Sequence, residues 1–169
     1  MRLCPTVGFA LMLGLLAACQ PALNWREARP AGSGAVALFP CKPELERRAA
    51  VAGQGAMGLA QCEAAGRGFS LSWADTPDPT RAGAALKAIP LALAAKLHQP
   101  LPPGQALQVP GMTPLPEAAQ YRLAGVGSAT RVAVFAHGGR VYQALMTAER
   151  DDAAAWESFL TGLSIEPAR

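Results

Sequence analysis

Apolar positions along the chain follow two periods. Phe69-Ser70-Leu71-Ser72-Trp73 alternates apolar and polar, the pattern of a strand with one buried face. Thr130 to Thr147 carries Gly138-Gly139 at its middle, which suits a two-residue hairpin turn with positive φ. That turn would place Phe135 opposite Tyr142 and Ala133 opposite Ala144. One face of the hairpin then shows Ala133, Phe135, Tyr142, Ala144 and Met146, and the other Val132, Val134, Ala136, Val141 and Leu145. Both faces are apolar, so the hairpin is expected to be central and covered on both sides. Arg81 to His98 places Leu86, Ile89, Leu93 and Leu97 at helical spacing, and Pro90 predicts a kink or two helical pieces. Trp156, Phe159, Leu160 and Leu163 form the apolar stripe of a last helix, capped by Asp151 or Asp152 and ending near Gly162.

Weaker patterns complete the outline. Asn24 to Arg29, Val36 to Phe39, Gln120 to Val126 and Ser164 to Glu166 read as strands, with Trp25 anchored in the core. Arg47–Ala52 and Gly55–Cys62 flank Gly53-Gln54 as a second hairpin. Gln99 to Pro116, with six prolines and two glycines, reads as an extended surface loop. The sum is an α+β domain: a mainly antiparallel sheet with helices on both faces, an α/β/α sandwich.

The first residues have a different logic. Arg2 precedes an apolar run from Val7 to Leu16, too short to span a bilayer as a permanent helix. The run ends in Leu16-Ala17-Ala18-Cys19, which resembles the lipobox of bacterial lipoproteins. The resemblance implies that residues 1–18 are removed as a signal, and that the Cys19 sulfur carries a diacylglycerol. Only a thiol can form that thioether, and the small residues at 17 and 18 admit the peptidase. Gln20, where that family's inner-membrane sorting rule has Asp, leans toward the outer membrane. The expected organisation is a signal over 1–18, a lipidated tether over 19–34 and one domain over 35–169. Of the 169 residues, 151 then remain, which suits one core.

With Cys4 removed and Cys19 lipidated, Cys41 and Cys62 are left in an oxidising compartment, where leftover cysteines usually pair. If Gly53-Gln54 forms the turn, Cys62 faces Leu45, four residues from Cys41, and Pro40 and Pro43 could bend Cys41 back toward it. No CxxC occurs, which excludes a thioredoxin-type or haem-attachment site, and His98 and His137 are too few for a closed zinc site.

Composition narrows the partners. Apolar residues make up 51% and charged residues 16%, which excludes a disordered polar chain. The net charge of +3 falls to +2 once Arg2 is removed, and no basic stripe exists of the kind nucleic acid requires. No cofactor is expected. Gly53-Gln54-Gly55-Ala56-Met57-Gly58 is a literal GxGxxG, with Asp75 at the spacing of a dinucleotide fingerprint. The charged Glu46-Arg47-Arg48 before it and the short segment after it favour a hairpin. Phe135-Ala136-His137-Gly138-Gly139 resembles an esterase oxyanion loop, but a G-x-S-x-G elbow is missing, and His137 reads as a turn residue. His98 reads as a helix-end residue, and Arg140 beside Tyr142 as a solvated neighbour of the turn.

Trp25-Arg26-Glu27, Leu38-Phe39-Pro40-Cys41-Lys42-Pro43, Cys62, Pro110-Gly111-Met112-Thr113-Pro114 and Gly139-Arg140-Val141-Tyr142-Gln143-Ala144 resemble a group of short bacterial exported proteins of unknown function. Strand order and terminal helix look PsbP-like, a similarity of architecture that implies no catalytic residues. The expected role is a non-enzymatic binding or accessory module, anchored by its lipid to an envelope membrane, facing the periplasm, with an envelope protein as partner and no nucleic acid. The alternatives are a small-ligand binder, using a groove under the proline-rich loop, and a hydrolase using His137. No residue is assigned a catalytic or metal-ligating role.

Overall fold

A computed structural model describes residues 23–125 and 127–166. The signal, Cys19 and Gln20 lie outside the described residues, as does Val126. Among the described residues, ten strands and two α-helices follow in chain order, with a single 3-10 turn at Pro79–Arg81 before the first helix. They are β1 (Arg26–Ala28), β2 (Ala35–Phe39), β3 (Glu44–Arg48), β4 (Met57–Ala64), β5 (Arg67–Asp75), α1 (Ala82–Lys96), β6 (Gln105–Ala106), β7 (Ala119–Gly125), β8 (Ser128–His137), β9 (Arg140–Ala148), α2 (Ala153–Thr161) and β10 (Ser164–Ile165). The fold is α+β. Seven antiparallel strands form one sheet in the order β3-β4-β5-β9-β8-β7-β6, and β1-β2-β10 form a small second one.

The β8–β9 hairpin sits at the centre with the expected register, Phe135 opposite Tyr142 and Ala133 opposite Ala144. Gly138 takes the positive φ (+55°) that its turn needs. β8 is buried along nearly its whole length, on both its faces. On the face bearing Phe69, Leu71 and Trp73, the ring of Phe159 from α2 meets Phe69 at 5.4 Å and Phe39 of β2 at 5.3 Å, both edge-on. Helix α1 packs against β8 and β9. Asp152, not Asp151, caps α2: its carboxylate accepts from the Ala155 N–H at 2.9 Å.

Several expectations change. Helix α1 runs unbroken through Pro90, whose ring lies in the buried seam Ala82–Leu86–Pro90–Ala94. Tertiary packing there outweighs the missing backbone hydrogen bond. The first hairpin turns on Ala52-Gly53, not Gly53-Gln54. Gly53 takes φ +79°, and Val51 and Gln54 close the turn by two mutual backbone bonds. Its outer strand is Glu44–Arg48 rather than 47–52, and Leu45 pairs with Ala60 rather than Cys62. The two-residue shift keeps each side chain on its expected face, and it brings Cys62 nearer to Cys41. The two are disulfide-bonded, with Cα atoms 6.0 Å apart.

The proline-rich stretch is less of a surface loop than expected. Leu107 and Val109 are buried, and Gln105–Ala106 adds a strand to the sheet's edge. The expected first strand forms within residues 24–29, with Trp25 packed on the core. Arg26–Ala28 pairs with Ala37–Phe39, the Asn24 N–H donates to the Pro40 carbonyl at 3.1 Å, and Leu23 already packs on the core. Apolar Leu23 and Trp25 alternate with polar neighbours, as in a strand with one buried face.

Candidate functional site

The sheet is not evenly covered. Helix α1 lies beside β8 and β9 and leaves the outer strands β3 and β4 without a roof. A groove of about 720 Å³ opens there. Ile89 of α1 forms one wall, and Glu46 and Arg48 of β3 the opposite rim. Met57 and Leu59 (β4), Ser72 and Ala74 (β5), and Val141 and Gln143 (β9) lie between them. Strand register puts these on one face: Arg48 pairs with Met57, Met57 with Ala74, Ala74 with Val141, Leu59 with Ser72, and Ser72 with Gln143. The site is thus an apolar strip flanked by uncharged hydrogen-bonding groups, with one cation and one anion at the rim. Its volume matches that of small-molecule sites. Met57 is 41% exposed, unusual for a large apolar side chain on a sheet.

The glycines of the GxGxxG segment explain themselves here. A Cβ on Gly55 would collide with the Asp75 carbonyl, and one on Gly58 with the Trp73 ring. They let β4 lie close against β5. The segment enters a strand rather than a helix, so the strand–turn–helix that a pyrophosphate needs is absent.

His137, Arg140 and Tyr142 have structural partners. His137 Nδ1 lies 2.7 Å from the Gly111 carbonyl, and the Gly138 N–H donates to Thr113 Oγ1 at 3.1 Å, so the HGG turn is tied to the proline-rich stretch. His98 is exposed just past α1, with φ +54°. Arg140 Nε donates to Asp75 at 2.6 Å and Nη1 to the Gly32 and Ser33 carbonyls, while the Tyr142 hydroxyl donates to the Ser33 carbonyl at 2.8 Å. This clamp fastens residues 32–33 across the sheet. Hydrogen bonding to Asp75 raises the Arg140 guanidinium above its ordinary value, and burial pushes the Tyr142 phenol up. Both groups are engaged in this clamp.

Asp151 accepts from Arg131 at 2.6 and 2.8 Å and from Arg122 at 2.7 Å. Those donors, Arg131 first, lower its carboxyl to about 2. The backbone N–H of Ala155 lowers that of Asp152. Asp152 is therefore a helix cap and Asp151 an arginine anchor. Among the described residues, no group of three or more His, Cys, Asp or Glu is placed to hold a metal ion, and no helix is long and apolar enough to cross a membrane.

The groove was not legible in the sequence. None of its lining comes from the proline-rich stretch, the expected place. The available signal was the polar half of the β5 alternation: Ser70 and Ser72 lie on the α1 side of the sheet, and Ser72 lines the groove beside that helix.

No protein-family model matches the chain, and no curated protein does. Among solved structures, a protein from Bacteroides thetaiotaomicron is similar at a TM-score of 0.45 and 10% identity, over 82% of this chain and 47% of that one. This chain therefore spans about half that protein's length, and a likeness so slight supports no functional statement.

Proposed function

We propose that this chain is the precursor of a bacterial lipoprotein, anchored through Cys19 and facing the periplasm, whose domain is a non-enzymatic binding module of the cell envelope. The Leu16-Ala17-Ala18-Cys19 sequence supports the anchor, and Gln20 favours the outer membrane. The disulfide fits an oxidising compartment. The observation that carries the binding role is the roofless sheet face, where Met57, Leu59 and Ile89 stand beside Ser72 and Gln143. We read the architecture as a PsbP-like α/β/α sandwich. Supporting that reading, Leu97 of the α1 end approaches Gly125, on one side of β7, while the indole of Trp156 in α2 donates to Gln120, on the other.

The partner is an envelope protein docking on this face. A photo-crosslinking residue in place of Met57, in intact cells, is expected to yield a discrete adduct. The same residue at Leu91, 55% exposed on the outer side of α1, serves as the reference. Equal labelling from both positions would remove the proposal. The groove's size also favours a second reading, a small-ligand site. A metabolite bound there would raise the melting temperature as RT ln(1 + [L]/Kd), and Leu59→Glu would abolish the shift.

A further inference from the structure

We infer that the disulfide-bearing end of the domain lies against the phospholipid headgroups, so that the groove opens away from the membrane. The inference rests on the lipid anchor proposed above. Only Gln20, Pro21 and Ala22 separate Cys19 from Leu23. Four Cα steps reach at most about 14 Å. Beyond Leu23 there is no slack. Leu23 packs on the core, the Asn24 N–H is held by the Pro40 carbonyl at 3.1 Å, Trp25 meets the Phe69 ring edge-on at 5.7 Å, and Arg26 begins the β1 ladder.

A domain of this size has a radius of gyration of about 15 Å. So short a leash cannot let it turn over. The anchored end is also well marked. Pro40 adjoins Cys41, Cys41 is bonded to Cys62, and Cys62 lies just before the exposed Ala65-Gly66 turn between β4 and β5. Along β5 the sheet runs nine residues, about 30 Å, to its other end. There lie the Val51–Gln54 and Gly138–Gly139 turns. Met57, Ala74 and Val141, in the groove, belong to that distal half. Lys42 is exposed at the anchored end, with Glu44 and Glu63 nearby. Such mixed charge supplies no electrostatic attraction, so the leash sets the orientation and neutral lipid suffices.

The experiment uses the mature protein recovered from membranes, in phosphatidylcholine nanodiscs doped with a lipid spin-labelled on its headgroup. Mass spectrometry of the amino-terminal peptide comes first. The expected result is paramagnetic broadening of the Lys42, Ala65 and Gly66 amide signals, with Gly53 and Gly138 unaffected. Inserting ten Gly/Ser residues between Ala22 and Leu23 is expected to erase the difference. A lipidated Cys19 with equal broadening at both ends, or stronger broadening at Gly53 and Gly138, would overturn the orientation alone. An unlipidated terminus would overturn the anchor and the orientation together.

Discussion

The β8–β9 and β3–β4 hairpins are alike in plan and opposite in surroundings. Each is two antiparallel strands joined by a tight turn with a positive-φ glycine, Gly138 in one and Gly53 in the other. β8 is buried along nearly its whole length, while every residue of β3 is exposed. The first hairpin is held by side-chain packing. In the second, β4 shares the core through Ala60, but β3 is held only by its backbone ladder and by the Cys41–Cys62 bond at its end. Glu44, Glu46, Arg47 and Arg48 keep the sheet's free edge charged, which discourages pairing with other strands. The difference separates two tasks on one sheet: a closed half that supplies stability, and an open half that is stable enough to present a face. If the division is right, changes in the closed half should unfold the domain, and changes in the open half should not.

The largest effect is expected at Phe159. Its ring is fully buried among Phe39, Phe69 and Trp156. Phe159→Ala should cost about 3–5 kcal/mol, read as a lowered midpoint of urea unfolding. Met57→Ala, in the open half, should cost under about 1 kcal/mol. Comparable losses at the two sites would erase the contrast.

Next comes the disulfide. It closes a loop of 21 residues, and chain entropy gives such a crosslink about 3 kcal/mol. Cys41→Ser with Cys62→Ser should lower global stability by that order. Because no buried side chain secures β3, native-state hydrogen exchange should rise more at Leu45 to Arg48 than at Val132 to Phe135. Uniform acceleration would show that the edge is held by something other than this bond.

The closed half was also the legible half. Faces, register and turn of the β8–β9 hairpin follow from apolar residues on both faces of two strands around two glycines. The stripe Trp156, Phe159, Leu160, Leu163 likewise announced α2 and its buried face. Where polar residues dominate, pattern carried less. Glu44-Leu45-Glu46-Arg47-Arg48 has no buried side chain to mark it, so the edge strand was displaced and the register shifted by two. Pro90 suggested a break because a local rule was applied where long-range burial decides. Leu107 and Val109 were hidden among prolines although both are buried. The groove was the least visible feature. It is made by what α1 fails to cover, and the extent of a helix's cover is not written in its own periodicity.

The smallest expected effect sharpens the comparison from the closed side's margin. Asp151 ties β7 and β8 to the start of α2 through Arg122 and Arg131. Arg131 is only 17% exposed, whereas Arg122 is 58% exposed, so Arg131 carries most of the interaction. The folded carboxyl titrates at about 2, below the ordinary value near 3.9 of the unfolded chain. A depressed folded pKa gives stability that is present above the unfolded value and lost as pH falls through the folded one. Asp151→Asn should therefore cost about 1 kcal/mol at pH 7, the upper end for an ion pair near the surface. The gap between variant and parent should narrow steadily between pH 4 and 2. Asp152 is unchanged in both proteins, so its own titration cancels in the difference. Urea midpoints measured across that range decide the matter. A gap independent of pH would mean that Asp151 acts through packing rather than charge, and that the helix start is held as the core is, by shape.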